Sequence, residues 1–127
     1  MILYFSATGN SEHVARRVAA ATDDKVMSIE HFDVETFRLA LAKESCRLGF
    51  VAPVYAWGLP TPMIEFLKKA DLSDAADTNG GKQPYTFFVS TYGSTTGQAG
   101  KFARDLLCER ELKLDAAMSV KMPDTWT

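Results

Sequence analysis

The apolar run Ile2-Leu3-Tyr4-Phe5 breaks off in a hexapeptide of small, mostly polar residues, Ser6-Ala7-Thr8-Gly9-Asn10-Ser11, and a helix-like pattern follows at once from Glu12 to Ala21. No other stretch constrains the chain so strongly. A strand that turns straight into a helix leaves the helix's first N–H groups without internal partners and places the positive end of its dipole at the turn. Gly9 lets the backbone come close to a ligand. The product is an anion site. Thr8, Ser11, Ser6 and Asn10 add neutral donors, and the loop holds neither lysine nor arginine. Such a loop grips a phosphate through many neutral hydrogen bonds, which suits a phosphorylated ligand that is held and not turned over. The same residues also suit an ordinary capped turn, because Ser and Asn favour caps and turns. There is no GxxxxGK[ST] and no GxGxxG, and neither Cys46 nor Cys108 starts a Cys-x5-Arg loop. An ATP-type P-loop, a dinucleotide fingerprint and a phosphatase loop are therefore excluded.

The remaining chain alternates strand and helix patterns. Strands are predicted at Ile2–Ser6, Val26–Ile29, Leu48–Tyr55, Tyr85–Thr91 and Ala116–Met122. The third is nearly continuous in hydrophobicity, as a strand covered on both faces should be. In the first helix Val14, Ala15, Val18 and Ala19 form the apolar face, opposite Glu12, His13, Arg16 and Arg17. Asp33 caps a second helix in which Val34, Phe37 and Leu41 share a side. A third opens at Pro60-Thr61-Pro62, with Thr61 as cap, Pro62 first, and Met63, Phe66 and Leu67 inward. Lys68 and Lys69 suit its C-terminal end. Asp71–Pro84 reads as a surface loop. Ala99, Phe102, Ala103, Leu106 and Leu107 define the cleanest helix. The last strand alternates, with Met118, Val120 and Met122 on one side and Ala117, Ser119 and Lys121 on the other, the pattern of a half-exposed edge. Short links between such units imply a parallel, doubly wound α/β sheet with right-handed crossovers.

A chain of 127 residues suits one domain, 1–127, and 46% hydrophobic with 24% charged residues is ordinary for a soluble globular protein. A net charge of −2 without a basic stripe argues against nucleic acid as a partner. No apolar run reaches spanning length and no signal peptide precedes the first strand, so no membrane partner is expected. The two cysteines form neither a CxxC pair nor a metal framework, and a reducing cytoplasm is the expected location. Both cysteines read as packing residues.

In a parallel sheet, ligands bind beyond the carboxyl ends of the strands, where the strand order reverses. The loops at that edge are Ser6–Ser11, Val54–Pro60, Tyr92–Gly97 and Pro123–Thr127. Tyr55-Ala56-Trp57-Gly58 and Tyr92-Gly93-Ser94 combine aromatic faces for stacking with glycines that admit backbone to the polar edge of a ring. Beside a phosphate loop, they want a ligand with one phosphate at one end and a planar ring at the other. At this point the chain resembles the flavodoxin-like family, whose phosphate loop has the form [ST]-x-T-G-[NT]-[ST]; Ser6–Ser11 fills every slot. The resemblance spans the chain, through Pro53–Pro60 and Ser90-Thr91-Tyr92-Gly93-Ser94. It looks closest to flavodoxin modules that are followed by a bacterial ferredoxin module, on the strength of Tyr4–Ser11 and Met122-Pro123-Asp124-Thr125-Trp126.

This resemblance implies a five-stranded parallel sheet in the order 2-1-3-4-5, non-covalent FMN, and electron or hydride transfer with a redox partner protein, of ferredoxin type or a reductase. The expected cofactor contacts are Ser6, Ala7, Thr8, Gly9, Asn10, Ser11, Tyr55, Ala56, Trp57, Gly58, Tyr92, Gly93 and Ser94. Trp57 is the favoured stacking residue, Tyr92 divides between stacking and packing, and Tyr55 reads better as a buried strand end. Backbone around Trp57-Gly58 is the candidate for the flavin N5 edge. His13 reads as a solvated surface histidine, His31 has no assigned role, and no paired carboxylates near the loops offer acid–base chemistry. Two cysteines cannot build the ferredoxin half. The near-neutral charge departs from strongly acidic flavodoxins, and the pattern lacks a fifth helix after the last strand. One sheet face is thus expected to show an uncovered apolar strip, with self-association or membership of a longer polypeptide as the consequence. The competing reading is a non-catalytic anion-binding or interaction module that keeps the fold without flavin.

Overall fold

Leu48-Gly49-Phe50-Val51-Ala52 offers no polar side chain to water, and a strand of that kind must lie inside a sheet covered on both faces. In the computed structural model, which describes residues 1–6, 9–41, 47–54, 59–70, 72, 84–92, 99–110 and 112–121, this segment forms the middle of the central strand. The strands are β1 (Ile2–Tyr4), β2 (Val26–Ser28), β3 (Arg47–Pro53), β4 (Tyr85–Tyr92) and β5 (Ala116–Lys121). They pair in parallel in the order β2-β1-β3-β4-β5, the order expected. The helices are α1 (Asn10–Thr22), α2 (Val34–Leu41), α3 (Thr61–Lys69) and α4 (Ala99–Glu109).

Parallel register fixes which side chains share a face. Ile2 pairs with Gly49, Tyr4 with Val51, and Val51 with Val89, so these residues all look one way. They are buried with Val14, Ala15 and Ala19 of α1. Leu3, Phe50 and Phe88 look the other way and pack with Phe37 of α2, Met63 and Leu67 of α3, and Ala103, Leu106 and Leu107 of α4. The periodicity of α1, α3 and α4 thus selects the residues that are buried. Beyond α4, the Arg110 guanidinium donates to the carbonyls of Leu67 (2.9 Å) and Ala70. That contact satisfies acceptors at the C-terminal end of α3, where orphan carbonyls and the negative dipole end coincide.

Several boundaries differ from the sequence reading. β1 ends at Tyr4, although the Phe5 N–H still donates to the Val51 carbonyl at 3.0 Å. Ile29 leaves β2 for a 3-10 turn, Ile29–His31, whose start is capped by Ser28 Oγ accepting from the Glu30 N–H at 3.2 Å. Asp33 does accept from the Thr36 N–H (3.2 Å) and hydroxyl. For α3 the cap is Pro60 and not Thr61; Thr61 already lies in the helix and no side chain caps it. Proline's fixed φ suits the extended entry (φ −66°, ψ 145°), and the Pro60 carbonyl accepts from the Met63 and Ile64 N–H groups at 3.0 and 3.1 Å. Cys108 is exposed, not a packing residue, because it falls on the outer side of α4 next to buried Leu106 and Leu107. Cys46 and most of Asp71–Pro84 lie outside the described residues.

The last strand also differs. Ala117, Met118, Ser119 and Val120 are all exposed, so this edge is open on both faces rather than one. Met118 pairs with Val89 and Val120 with Thr91, which puts the apolar half of the alternation on the α1 face. Ser119 faces the other way, its hydroxyl 3.2 Å from that of Ser90.

Candidate functional site

The carboxyl ends of β1, β3 and β4 converge at one edge of the sheet, and the residues that follow them are the candidate site. At the end of β1, Gly9 adopts φ 96°, ψ −15° and becomes the cap of α1. No neighbouring atom lies within 4 Å of where its Cβ would stand. The glycine is required by backbone conformation and not by space, since side-chain-bearing residues rarely adopt this region. The first intrahelical bond runs from the His13 N–H to the Gly9 carbonyl at 3.0 Å. The N–H groups before it sit at the positive end of the helix, and no side chain caps them from the Gly9 position.

Ser6 and Ser11 hold this turn from opposite ends. Ser6 Oγ accepts from the Gly9 N–H at 2.9 Å, which closes the loop on itself and leaves the hydroxyl proton of Ser6 available to an acceptor. Ser11 is only 1% exposed, and its hydroxyl lies 2.9 Å from that of Thr91, at the end of β4. Ser11, expected as a ligand contact, thus also has a partner within the protein. Thr91 is itself 3% exposed, and its carbonyl accepts from the Val54 N–H at 2.8 Å. Sequence reasoning missed Thr91. The signal was present: Ser90-Thr91 puts two hydroxyls into a strand otherwise filled with Phe87, Phe88 and Val89. Buried hydroxyls of that kind need partners.

The turn itself, Ser6–Ser11, contains no charged side chain. Glu12, in the first turn of α1, pairs outward with Arg16 at 2.9 Å on the exposed side of the helix. That hydrogen bond and the carboxylate's charge raise the pKa of the guanidinium further. His13 is exposed, as expected. Among the described residues no three His, Cys, Asp or Glu side chains gather as a metal site would require, and no helix is long and apolar enough to cross a membrane.

Of the expected contacts, the structure brings Ser6, Gly9, Asn10 and Ser11 together at the β1–α1 junction. Tyr92 ends β4 at the same edge. Ala7, Thr8, Tyr55, Ala56, Trp57, Gly58, Gly93 and Ser94 lie outside the described residues. The described chain stops at Val54, resumes at Leu59 and stops again after Tyr92, on either side of these residues. Among the described residues, the Ser6 hydroxyl, the first N–H groups of α1 and a left-handed glycine form a donor set that suits a phosphate monoester.

A parallel sheet wound 2-1-3-4-5, with a hydroxyl-rich β1–α1 turn at its carboxyl edge, is the flavodoxin-like α/β fold. Residues 1–89 match the model of the flavodoxin domain family, and the chain belongs to that family. An archaeal flavodoxin superposes with a TM-score of 0.73 at 14% identity, over 98% of this chain and 83% of its own. Two-electron reduced flavodoxin from Megasphaera elsdenii gives 0.68 at 21% identity, over 97% and 87% of the two chains. Rubredoxin oxygen:oxidoreductase from Desulfovibrio gigas gives 0.63 at 16% identity, over 99% of this chain but 30% of the larger protein. At these identities the likeness is one of fold. No curated protein matches the chain.

Proposed function

We propose that the chain binds FMN non-covalently at the carboxyl edge of its sheet and passes electrons or hydride through it to a redox partner protein, of ferredoxin type or a reductase. The observation that carries the reading is the turn at Gly9: a left-handed glycine cap that opens α1 directly from a central strand, in a loop whose donors are all uncharged. The flavin supplies the redox chemistry when bound; the protein supplies grip, orientation and exclusion of water. The Ser6 hydroxyl and the first-turn N–H groups of α1 would hold the phosphate, with Thr8 beside them. The loops after Val54 and Tyr92, which carry Trp57, Gly58 and Gly93, would hold the ring. Membership of the flavodoxin domain family supports this reading over an empty anion site.

Titrating the flavin-free protein with FMN, followed by flavin fluorescence, tests the proposal: binding should saturate at one FMN per chain. Thr8→Ala removes a hydrogen bond to a charged phosphate, a loss of about 1.5–3 kcal/mol or about ten- to a hundredfold in affinity. Riboflavin, which has no phosphate, should bind Thr8→Ala as it binds the unsubstituted protein. Equal losses for both flavins would mean that the loop does not hold the phosphate.

A further inference from the structure

We infer that Thr91 is a positioning residue that sets the start of α1, and with it the phosphate grip, against the two strands that launch the ring-side loops. The inference rests on the FMN reading above and adds to it a residue that touches no ligand.

Two long-range contacts and the course of the chain meet at Thr91. Its hydroxyl lies 2.9 Å from that of Ser11, a residue 80 positions away in sequence, and both side chains are buried. Its carbonyl accepts from the Val54 N–H at 2.8 Å, just ahead of the loop that contains Trp57. Its own chain continues into Tyr92 and then Gly93-Ser94. The side chain of Thr91 thus reaches the phosphate end while its backbone holds both ring-side strands.

Register explains the aim of the hydroxyl. Thr91 follows Phe87 and Val89 on the α1 face, where α1 packs, and Ser11 is in the first turn of that helix. At 1% exposure, the Ser11 side chain has its hydrogen-bonding surface directed into the protein. Ser11 then serves phosphate through the placement of the helix start and not through its hydroxyl. A ligand that bridges the phosphate loop and the ring loops needs their separation fixed, because rigid placement limits the ordering cost of binding. Two buried hydroxyls that satisfy each other fix it, and removing either one strands the other.

The test uses the full chain with Thr91→Val, Ser11→Ala, the double variant and Thr91→Ser, measuring dissociation constants for FMN and for riboflavin by fluorescence. Thr91→Val keeps the shape and deletes the hydroxyl. FMN affinity should fall by about three- to tenfold in each single variant. The double variant should lose no more than either single one, because both remove the same contact. Riboflavin affinity should stay within about twofold, and Thr91→Ser should restore FMN binding. A Ser11→Ala loss much larger than that of Thr91→Val would make Ser11 a direct phosphate ligand and overturn the inference. So would additive losses, equal losses for riboflavin, or a Thr91→Val protein that melts earlier but binds FMN unchanged. Failure of the unsubstituted protein to bind FMN would instead overturn the function itself, and the inference with it.

Discussion

Asp24 is held by two cations at once: Arg47 Nε donates to its Oδ2 at 3.0 Å, and the Met1 amine lies 3.5 Å from its Oδ1. Burial by itself would raise its pKa. Hydrogen bonds with Thr22 and Arg47, and the charges of the amine and of Arg47, outweigh burial and hold the carboxyl below its ordinary 3.8. A carboxylate lowered on folding stabilises the folded chain above the unfolded pKa and loses that contribution as pH falls through the folded value. Asp24→Asn should therefore cost about 1 kcal/mol at neutral pH, the partly exposed Arg47 keeping the figure modest. Urea midpoints measured at a series of pH values should show the gap to the unsubstituted protein closing as pH drops below 3.8. A gap that persists unchanged into acid would assign the effect to something other than this carboxylate. At this scale the sequence is legible where a residue's role is local. Gly9 follows from the hexapeptide alone, and its φ of 96° is what a strand-to-helix turn demands. The partners of Asp24 and Ser11 are 23 and 80 residues distant, and no local pattern encodes them.

Among the elements, β3 carries the tightest constraint. A Cβ on Gly49 would stand 2.4 Å from Phe87 Cζ and 2.9 Å from Ile2 Cδ1, inside any contact distance. Phe87 is buried at 4% exposure and Ile2 at 0%, so neither ring nor branch can swing into water. Gly49→Ala should destabilise the protein by about 1–3 kcal/mol, as overpacking of a filled core does. Pairing it with Phe87→Leu should recover part of that loss, measured as a shift in urea midpoint; full additivity of the two would show that the ring is not the obstacle. The sequence reveals β3 as doubly covered because its hydrophobicity is continuous, yet Gly49 is silent within that run. Its meaning depends on which ring the neighbouring strand presents. Element ends are less legible than element identities for the same reason. Where β1 and β2 stop is set by pairing and by the local turn at Ile29–His31, and the entry to α3 is set by Pro60, one residue before the hydroxyl expected to cap it.

At the scale of the whole sheet, the helices among the described residues cover its two faces unequally. Helices α2, α3 and α4 pack on one face, while among the described residues α1 supplies the helical cover of the other. The sequence reading expected an uncovered strip on the α1 face over the last strands, and the exposed apolar residues Tyr85 (52%), Met118 (51%) and Val120 (36%) lie there. The small and polar half of the alternation does not relieve that strip, because register turns Ala117 and Ser119 to the opposite face. The alternation was readable from the sequence; its phase relative to the helices was not, because a strand pattern carries no label for which layer it meets. Val89 and Met118 make the contrast testable, being paired neighbours on one face with opposite exposure. Val89, at 2% exposure, loses two buried methyls in Val89→Ala, which should cost about 2 kcal/mol including the cavity. Met118→Ala removes a longer side chain but, with half of it already in water, should cost under about 1 kcal/mol. Urea denaturation of the two variants, at protein concentrations an order of magnitude apart, compares them directly. If Met118→Ala proved as costly as Val89→Ala, Met118 would be covered in solution, and a cost that grew with protein concentration would identify the cover as a second copy of the chain.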